Sequence, residues 1–260
     1  MSSFRDRIVQ RATRRYLAGP RLADAVARSE ELGRPTTLAF WDGPGDSPRA
    51  VAAAHEAAVA AIAARRIDAY VSIKLPSLGD ERVTELAAAA AAAGVLLHFD
   101  SLAESEAERT LELACRLSKG GCAVGATLPG CWSRSVRDAE RLAAAGVRIR
   151  IVKGQWPGDR DPGEGFRAVV EAAARAQARV AVATHDEQLA HASLSRLPGA
   201  ELELLLGLPT APVLRAADSE TKVRIYVPYG RGYLPYAVRR AHVHPVTFWW
   251  LARDLAVGHR

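Results

Sequence analysis

CAVGATLPGCWSRSVRDAERLAAAGVRIRIVKG, residues 122–154, holds the pattern that decides the fold. An apolar run (122–128) leads into a stretch with apolar residues at helical spacing (135–145). A second run follows, rich in β-branched residues (147–153). Strand, helix and strand in this order make a βαβ unit, in which the helix carries the chain back and leaves the two strands parallel. The same alternation continues outward on both sides. Candidate strands are residues 36–41, 69–75, 95–100, 122–128, 147–153, 179–184, 201–206 and 222–228. Helical stretches lie at 48–64, 80–93, 103–117, 135–145 and 163–176. Eight strands, most of them followed by a helix, are the count of an α/β protein built as a (β/α)₈ TIM barrel.

The bulk numbers agree with one such barrel. The chain has 260 residues, close to the usual length of the fold, and no Pro/Gly/Ser-rich linker divides it, so a single domain over 1–260 is expected. Residues 4–33 read as one or two helices ahead of the first strand, expected to cover the bottom of the barrel. Ala87 to Ala93 reads as a tightly packed helix face. Apolar runs stop short of the ~20 residues that span a bilayer, and the opening MSSFRDRIVQRATRRY lacks the apolar centre of a signal peptide. The expectation is a cytoplasmic protein. The net charge of +6 comes from arginines scattered among acids, with no basic run interleaved with aromatics, which argues against a nucleic-acid surface. Cys115, Cys122 and Cys131 show no CxxC spacing, so neither a disulfide framework nor a metal site is expected.

In a barrel of this kind the active site gathers at the C-terminal ends of the strands. Those ends carry Asp42, Lys74, Asp100, Arg150 with Lys153, Thr184 with His185, and Tyr226, whereas the starts carry mostly Thr, Ala and Val. Lys74 and Asp100 end consecutive strands, which places them within reach of a buried ion pair. Such a pair contributes little net stability after desolvation, so function is the better reason to keep it. Arg150 and Lys153 suit an anionic or electron-accepting ligand, or else a rim arginine paired with a nearby acid. In residues 233–245, YLPYAVRRAHVHP, a helix would set Tyr236 on one face with Arg239 and Arg240. Adjacent arginines can clamp a carboxylate by two-pronged hydrogen bonds, or lie on a solvated surface.

YVSIKLPSLG, HFD, RIVKGQW, ATHD, YVPYG and YxxRR occur in this order, and together they resemble the proline dehydrogenase family of FAD-dependent barrels. The likeness includes the opening helix RRYLAGPRLADAVARSEEL. The resemblance implies that Lys74, Arg239 and Arg240 hold the substrate carboxylate, with Leu205, Tyr226 and Tyr236 around the ring. It makes Asp100 and Arg150 the catalytic pair, Asp100 organising the cations and Arg150 lying beside the flavin. Ser101, Pro129, Lys153, Gly154, Gln155, Thr184 and His185 would contact other parts of FAD. The implied reaction is oxidation of L-proline to pyrroline-5-carboxylate by hydride transfer to flavin N5, with electrons passed to a quinone. A membrane quinone would bring peripheral membrane contact, for which the apolar-aromatic residues 246–257 (VTFWWLARDLAV) are the candidate.

Four positions depart from the family pattern. Pro129 stands where a flavin-bonding glutamine is usual and has no such donor, and Val243 replaces the glutamate of RRxxE. Trp156 replaces a tyrosine, and Gln155 a small residue. These departures leave two alternatives to proline oxidation: a different or modified cyclic amino acid, or a barrel that binds an amino acid without catalysis.

Overall fold

The computed structural model describes residues 16–154 and 158–232. Eight parallel strands close into a barrel in chain order: β1 (Thr36–Phe40), β2 (Ala69–Ile73), β3 (Leu97–Phe99), β4 (Val124–Pro129), β5 (Arg148–Val152), β6 (Val180–Ala183), β7 (Glu201–Leu205) and β8 (Val223–Tyr229). β8 pairs back onto β1, with Thr37 opposite Tyr226, and completes the ring. Every expected strand is present, with its ends within two residues of the sequence reading.

Around the strands run α1 (Leu22–Leu32), α2 (Pro48–Arg65), α3 (Leu75–Leu78), α4 (Asp80–Ala92), α5 (Ala107–Lys119), α6 (Ser135–Ala144), α7 (Pro162–Arg175), α8 (Glu187–Arg196) and α9 (Ala211–Leu214). Their starts are written in local chemistry. Ser47 accepts a hydrogen bond from the Ala50 N–H ahead of Pro48, and Asp161 accepts from Gly163 and Glu164 ahead of Pro162. In both, an oxygen-bearing cap precedes a proline whose missing N–H would have had no partner in the first turn.

α1 corrects one expectation. Of residues 4–33, expected to cover the bottom, 4–15 lie outside the described residues, and α1 lies along the outer wall against β8 and α2. The chain just before it is tied to the C-terminal end of β8, where Ala18 N–H donates to Pro228 O at 3.0 Å and Gly230 N–H to Gly19 O at 2.9 Å.

The hydrophobic core is the sleeve between strands and helices. Outward-facing Leu38, Val71, Ile73, Leu97, Phe99, Ile149, Ile151 and Val182 are fully buried there against Leu86, Leu142, Phe166 and Val169. Because side chains alternate along a strand, the same strands send every other residue into the barrel. That inner column is polar. Tyr70, Ser72, His98, Thr127, Arg148, Arg150, Glu203 and Arg224 are all buried in it. Gly125 belongs to this packing, since a Cβ there would run into the ring of His98.

Candidate active site at the barrel mouth

The inner column is a stack of opposed charges. At its base Arg224 and Arg148 share Glu201, through hydrogen bonds of 2.9 and 2.5 Å to the same Oε2. Arg148 also donates to the Tyr70 hydroxyl at 3.1 Å, which in turn donates to Glu203 Oε2 at 2.6 Å. Burial, and then Glu203, push the Tyr70 phenol up to about 12, so it remains a donor. Above it, Arg150 donates through Nη1 to Glu203 Oε1 at 3.0 Å, through Nε to Thr127 at 3.0 Å, and through Nη2 to Asp100 Oδ1.

Asp100, just beyond β3, is where the column meets the mouth. Besides Arg150 it accepts from Ser72 at 2.8 Å and from the Tyr226 hydroxyl at 3.1 Å. The Tyr226 ring sits 5.3 Å from the Arg150 guanidinium carbon. Burial and the neighbouring Asp100 carboxylate raise the Tyr226 phenol well above its usual range, keeping it protonated.

Two expectations need correction here. Arg150 is not a rim residue: it is buried in the column and held by two carboxylates. Lys74 is not paired with Asp100. Its ammonium donates to Phe40 O at 3.0 Å and lies 4.3 Å from the Trp41 ring centroid, and among the described residues no acid stands within ion-pair distance. The two strand ends are adjacent as expected, but Asp100 is already occupied by Arg150. Burial lowers the affinity of Lys74 for its proton, while the fields of Asp100 and Asp42 oppose that shift.

The remaining site candidates divide. Leu205 ends β7, half-buried, and its N–H donates to His185 Nε2 at 2.9 Å. His185 Nδ1 therefore carries the proton and faces Pro209 O at 3.1 Å, so both ring nitrogens are engaged, and burial favours the neutral ring. Thr184 is buried and accepts from Asp186 N–H. Lys153 is half-exposed and pairs with Asp186 at 2.9 Å. Gly154 has φ of 103°, and a side chain there would strike Cys131. Ser101 lines a recess with Asp100, Thr127 and Trp132. Pro129 is buried at the end of β4, and the next two N–H groups, of Gly130 and Cys131, are engaged by Val152 O at 2.7 Å and Lys153 O at 3.0 Å. Gln155, Trp156, Tyr236, Arg239, Arg240 and Val243 lie outside the described residues.

Glu203, Tyr70 and Arg148 were missed in the sequence. For Arg148 and Glu203 the signal was two alternating strands, RIRIV on β5 and ELELL on β7, whose inward positions carry opposite charge; Tyr70, on β2, carried no such signal.

The chain was then compared with known proteins. It is 25% identical to proline dehydrogenase 1 of Bacillus subtilis subsp. natto, over 90% of this chain and 87% of that protein. It is 28% identical to the proline dehydrogenase of Deinococcus radiodurans, over 94% of this chain and 90% of the other. The chain is similar to proline dehydrogenases. No protein-family model matches it. In fold it superposes on proline utilization A of Bradyrhizobium japonicum with a TM-score of 0.74 at 16% identity, over 90% of this chain. It spans 31% of that longer chain. The proline dehydrogenase likeness thus covers the same strands that carry Lys74, Asp100, Arg150 and Tyr226.

Proposed function

We propose that this protein is a flavin-dependent oxidoreductase that oxidises L-proline, or a close cyclic amino acid, at the ring carbon next to nitrogen. The observation that carries the reading is Lys74. In the inner column three arginines (Arg148, Arg150, Arg224) face three acids (Glu201, Glu203, Asp100), so the column is neutral by itself. Lys74 is then a half-buried cation at the mouth with no counter-charge among the described residues, and withdrawing an unpaired charge from water is costly. A substrate carboxylate supplies the missing anion. Arg239 and Arg240 would complete the clamp, with Leu205, Tyr226 and Tyr236 around the ring.

The mouth fits a flavin by charge. Arg150 uses three of its five N–H donors inside the column, and Lys153 pairs with Asp186 only at the half-exposed surface, so both are available to an electron-rich group. The fit is thinner in hydrogen bonds, because Pro129, Gly130 and Cys131 offer no free donor. Arg150, Lys153, Gly154, Gln155, Thr184 and the His185 ring would hold the cofactor, with Ser101 at the edge. When bound, the flavin supplies a two-electron acceptor. The substrate, its amine neutral, loses a hydride from carbon and a proton from nitrogen and becomes a cyclic imine, pyrroline-5-carboxylate in the case of proline. Asp100 keeps Arg150 and Tyr226 in register throughout.

A quinone as final acceptor, met at a membrane surface through residues 246–257, is the reading for reoxidation; that segment lies outside the described residues. Among the described residues no helix is long and apolar enough to cross a membrane. The test is anaerobic titration of the FAD-loaded protein with proline, hydroxyproline, pipecolate and prolinamide. Bleaching of the flavin band by proline and not by prolinamide is expected. Bleaching by another cyclic amino acid alone would change the substrate. A protein that remains colourless after reconstitution would leave a binding barrel without catalysis.

A further inference from the structure

We propose that Glu203 is a positioning residue that sets how much of the Arg150 charge reaches the barrel mouth, and with it the reduction potential of a flavin bound there. The inference rests on the reading that Arg150 faces the flavin. Arg150 touches two carboxylates, and they differ in place. Asp100 meets it from the mouth side and is shared with Ser72 and Tyr226, while Glu203 meets it from within the column. Asp100 alone gives Arg150 a counter-ion, so a second one is more than pairing requires.

Glu203 is also fixed in place more firmly than a simple counter-ion needs. It is 3% exposed. Thr37 donates to its Oε1 at 2.9 Å and Tyr70 to its Oε2 at 2.6 Å, so both oxygens are oriented before Arg150 is counted. Thr37, Tyr70, Arg150 and Glu203 come from four different strands, which locks the carboxylate to the barrel itself. A fixed anion directly behind a cation withdraws part of that cation's field from whatever lies in front of it. At the mouth, where low dielectric strengthens such fields, negative charge developing on a reduced flavin would meet a weakened Arg150. Glu203 therefore holds the flavin potential low.

The experiment measures the midpoint potential of the FAD-loaded full chain by anaerobic dye titration in wild type, Glu203→Gln, Glu203→Asp and Arg150→Met. Gln keeps an acceptor oxygen for Arg150 and Thr37 and removes the charge. Asp keeps the charge and draws it back by one methylene, which guards against a Gln variant that does not fold. Glu203→Gln is expected to favour the reduced flavin about tenfold, about 30 mV for a two-electron couple. Glu203→Asp should shift it the same way by less, and Arg150→Met should shift it the opposite way. If Arg150→Met moves the potential and neither Glu203 variant does, Glu203 is a structural counter-ion and the proposal is overturned. An unchanged potential in Arg150→Met instead overturns the placement of Arg150 at the flavin, on which both readings stand.

Discussion

On their outward faces β3 and β5 present Leu97, Phe99, Ile149 and Ile151, all fully buried and without a polar side-chain atom. On their inward faces the same strands present His98, Arg148 and Arg150. A few ångströms of backbone separate an ordinary apolar sleeve from a column of charges. The sleeve is where burial of apolar surface stabilises the fold. The column contributes little net stability, because each of its ions was taken out of water. Inside the column the contrast repeats at smaller scale. Arg150 has two acids and Lys74, among the described residues, has none. The saturated cation belongs to the scaffold as much as to the site, and the unsaturated one is, in the proposed function, the one left for a ligand.

The largest effect should come from Arg150→Met, which leaves Asp100 and Glu203 facing one another without a cation. Breaking a buried pair from one side costs about 3–5 kcal/mol. Urea unfolding checks it, and a loss below about 1 kcal/mol would mean that the column tolerates vacancies.

Next is acid, which tests the sleeve. His55, on α2 against Phe40, is buried with Nδ1 unpartnered among the described residues, and burial, then Lys74, lower its pKa from 6.5 to about 3. The unfolded chain takes up that proton near 6.5 and the folded chain only near about 3. The stabilisation is therefore complete above 6.5 and is lost as pH falls through this window, by about 2 kcal/mol at pH 5. His98, lowered by burial and by the three column arginines, adds in the same direction. In His55→Leu the fall in stability between pH 7.5 and 5 should shrink by that amount; an unchanged fall would assign the acid sensitivity elsewhere.

A milder change sharpens the boundary between the two faces. Ile149→Val, in the sleeve beside Arg148 and Arg150, should cost about 0.5–1.5 kcal/mol and leave kcat and KM for the substrate as they are. A kinetic change would mean that the wall transmits packing to the column. The smallest effect on stability is expected for Lys74→Met, whose thermal midpoint should stay level or rise since a half-buried charge with no ion-pair partner among the described residues is removed. Substrate affinity should nevertheless fall about ten- to a hundred-fold, the worth of a charge-assisted bond to a carboxylate. Isothermal titration with proline and prolinamide separates the two; equal loss for both would remove Lys74 from the carboxylate.

Most of the fold was legible because strand runs and helix runs differ in period, and a parallel barrel repeats that difference eight times. The short helices α3 and α9 escaped because four residues carry no period. α8 (EQLAHASLSR) escaped through weak amphipathicity, although Asp186, which accepts from Leu189 N–H, was a readable cap. At the site, the strand-end rule brought Lys74, Asp100 and Tyr226 to one mouth correctly. It failed for Arg150 because a long side chain one turn of the pleat below the rim looks, in sequence, like a rim residue. Which acid takes which cation is decided across strands, by register, and Asp100 could be assigned to Arg150 only once β2 through β5 were side by side.

Beyond the ends of β4 and β5 the ladder continues: Gly130 N–H to Val152 O, Cys131 N–H to Lys153 O, then Arg160 N–H back to Cys131 O, with Ser133 bonded twice to Asp159. For anyone redesigning the substrate range, that quadrant is an abutment rather than a hinge. The ends of β1 and β8 are bound in the same way, Trp41 N–H to Tyr229 O and Gly232 N–H to Trp41 O, so enlarging the pocket there means exchanging side chains and leaving the path of the chain alone.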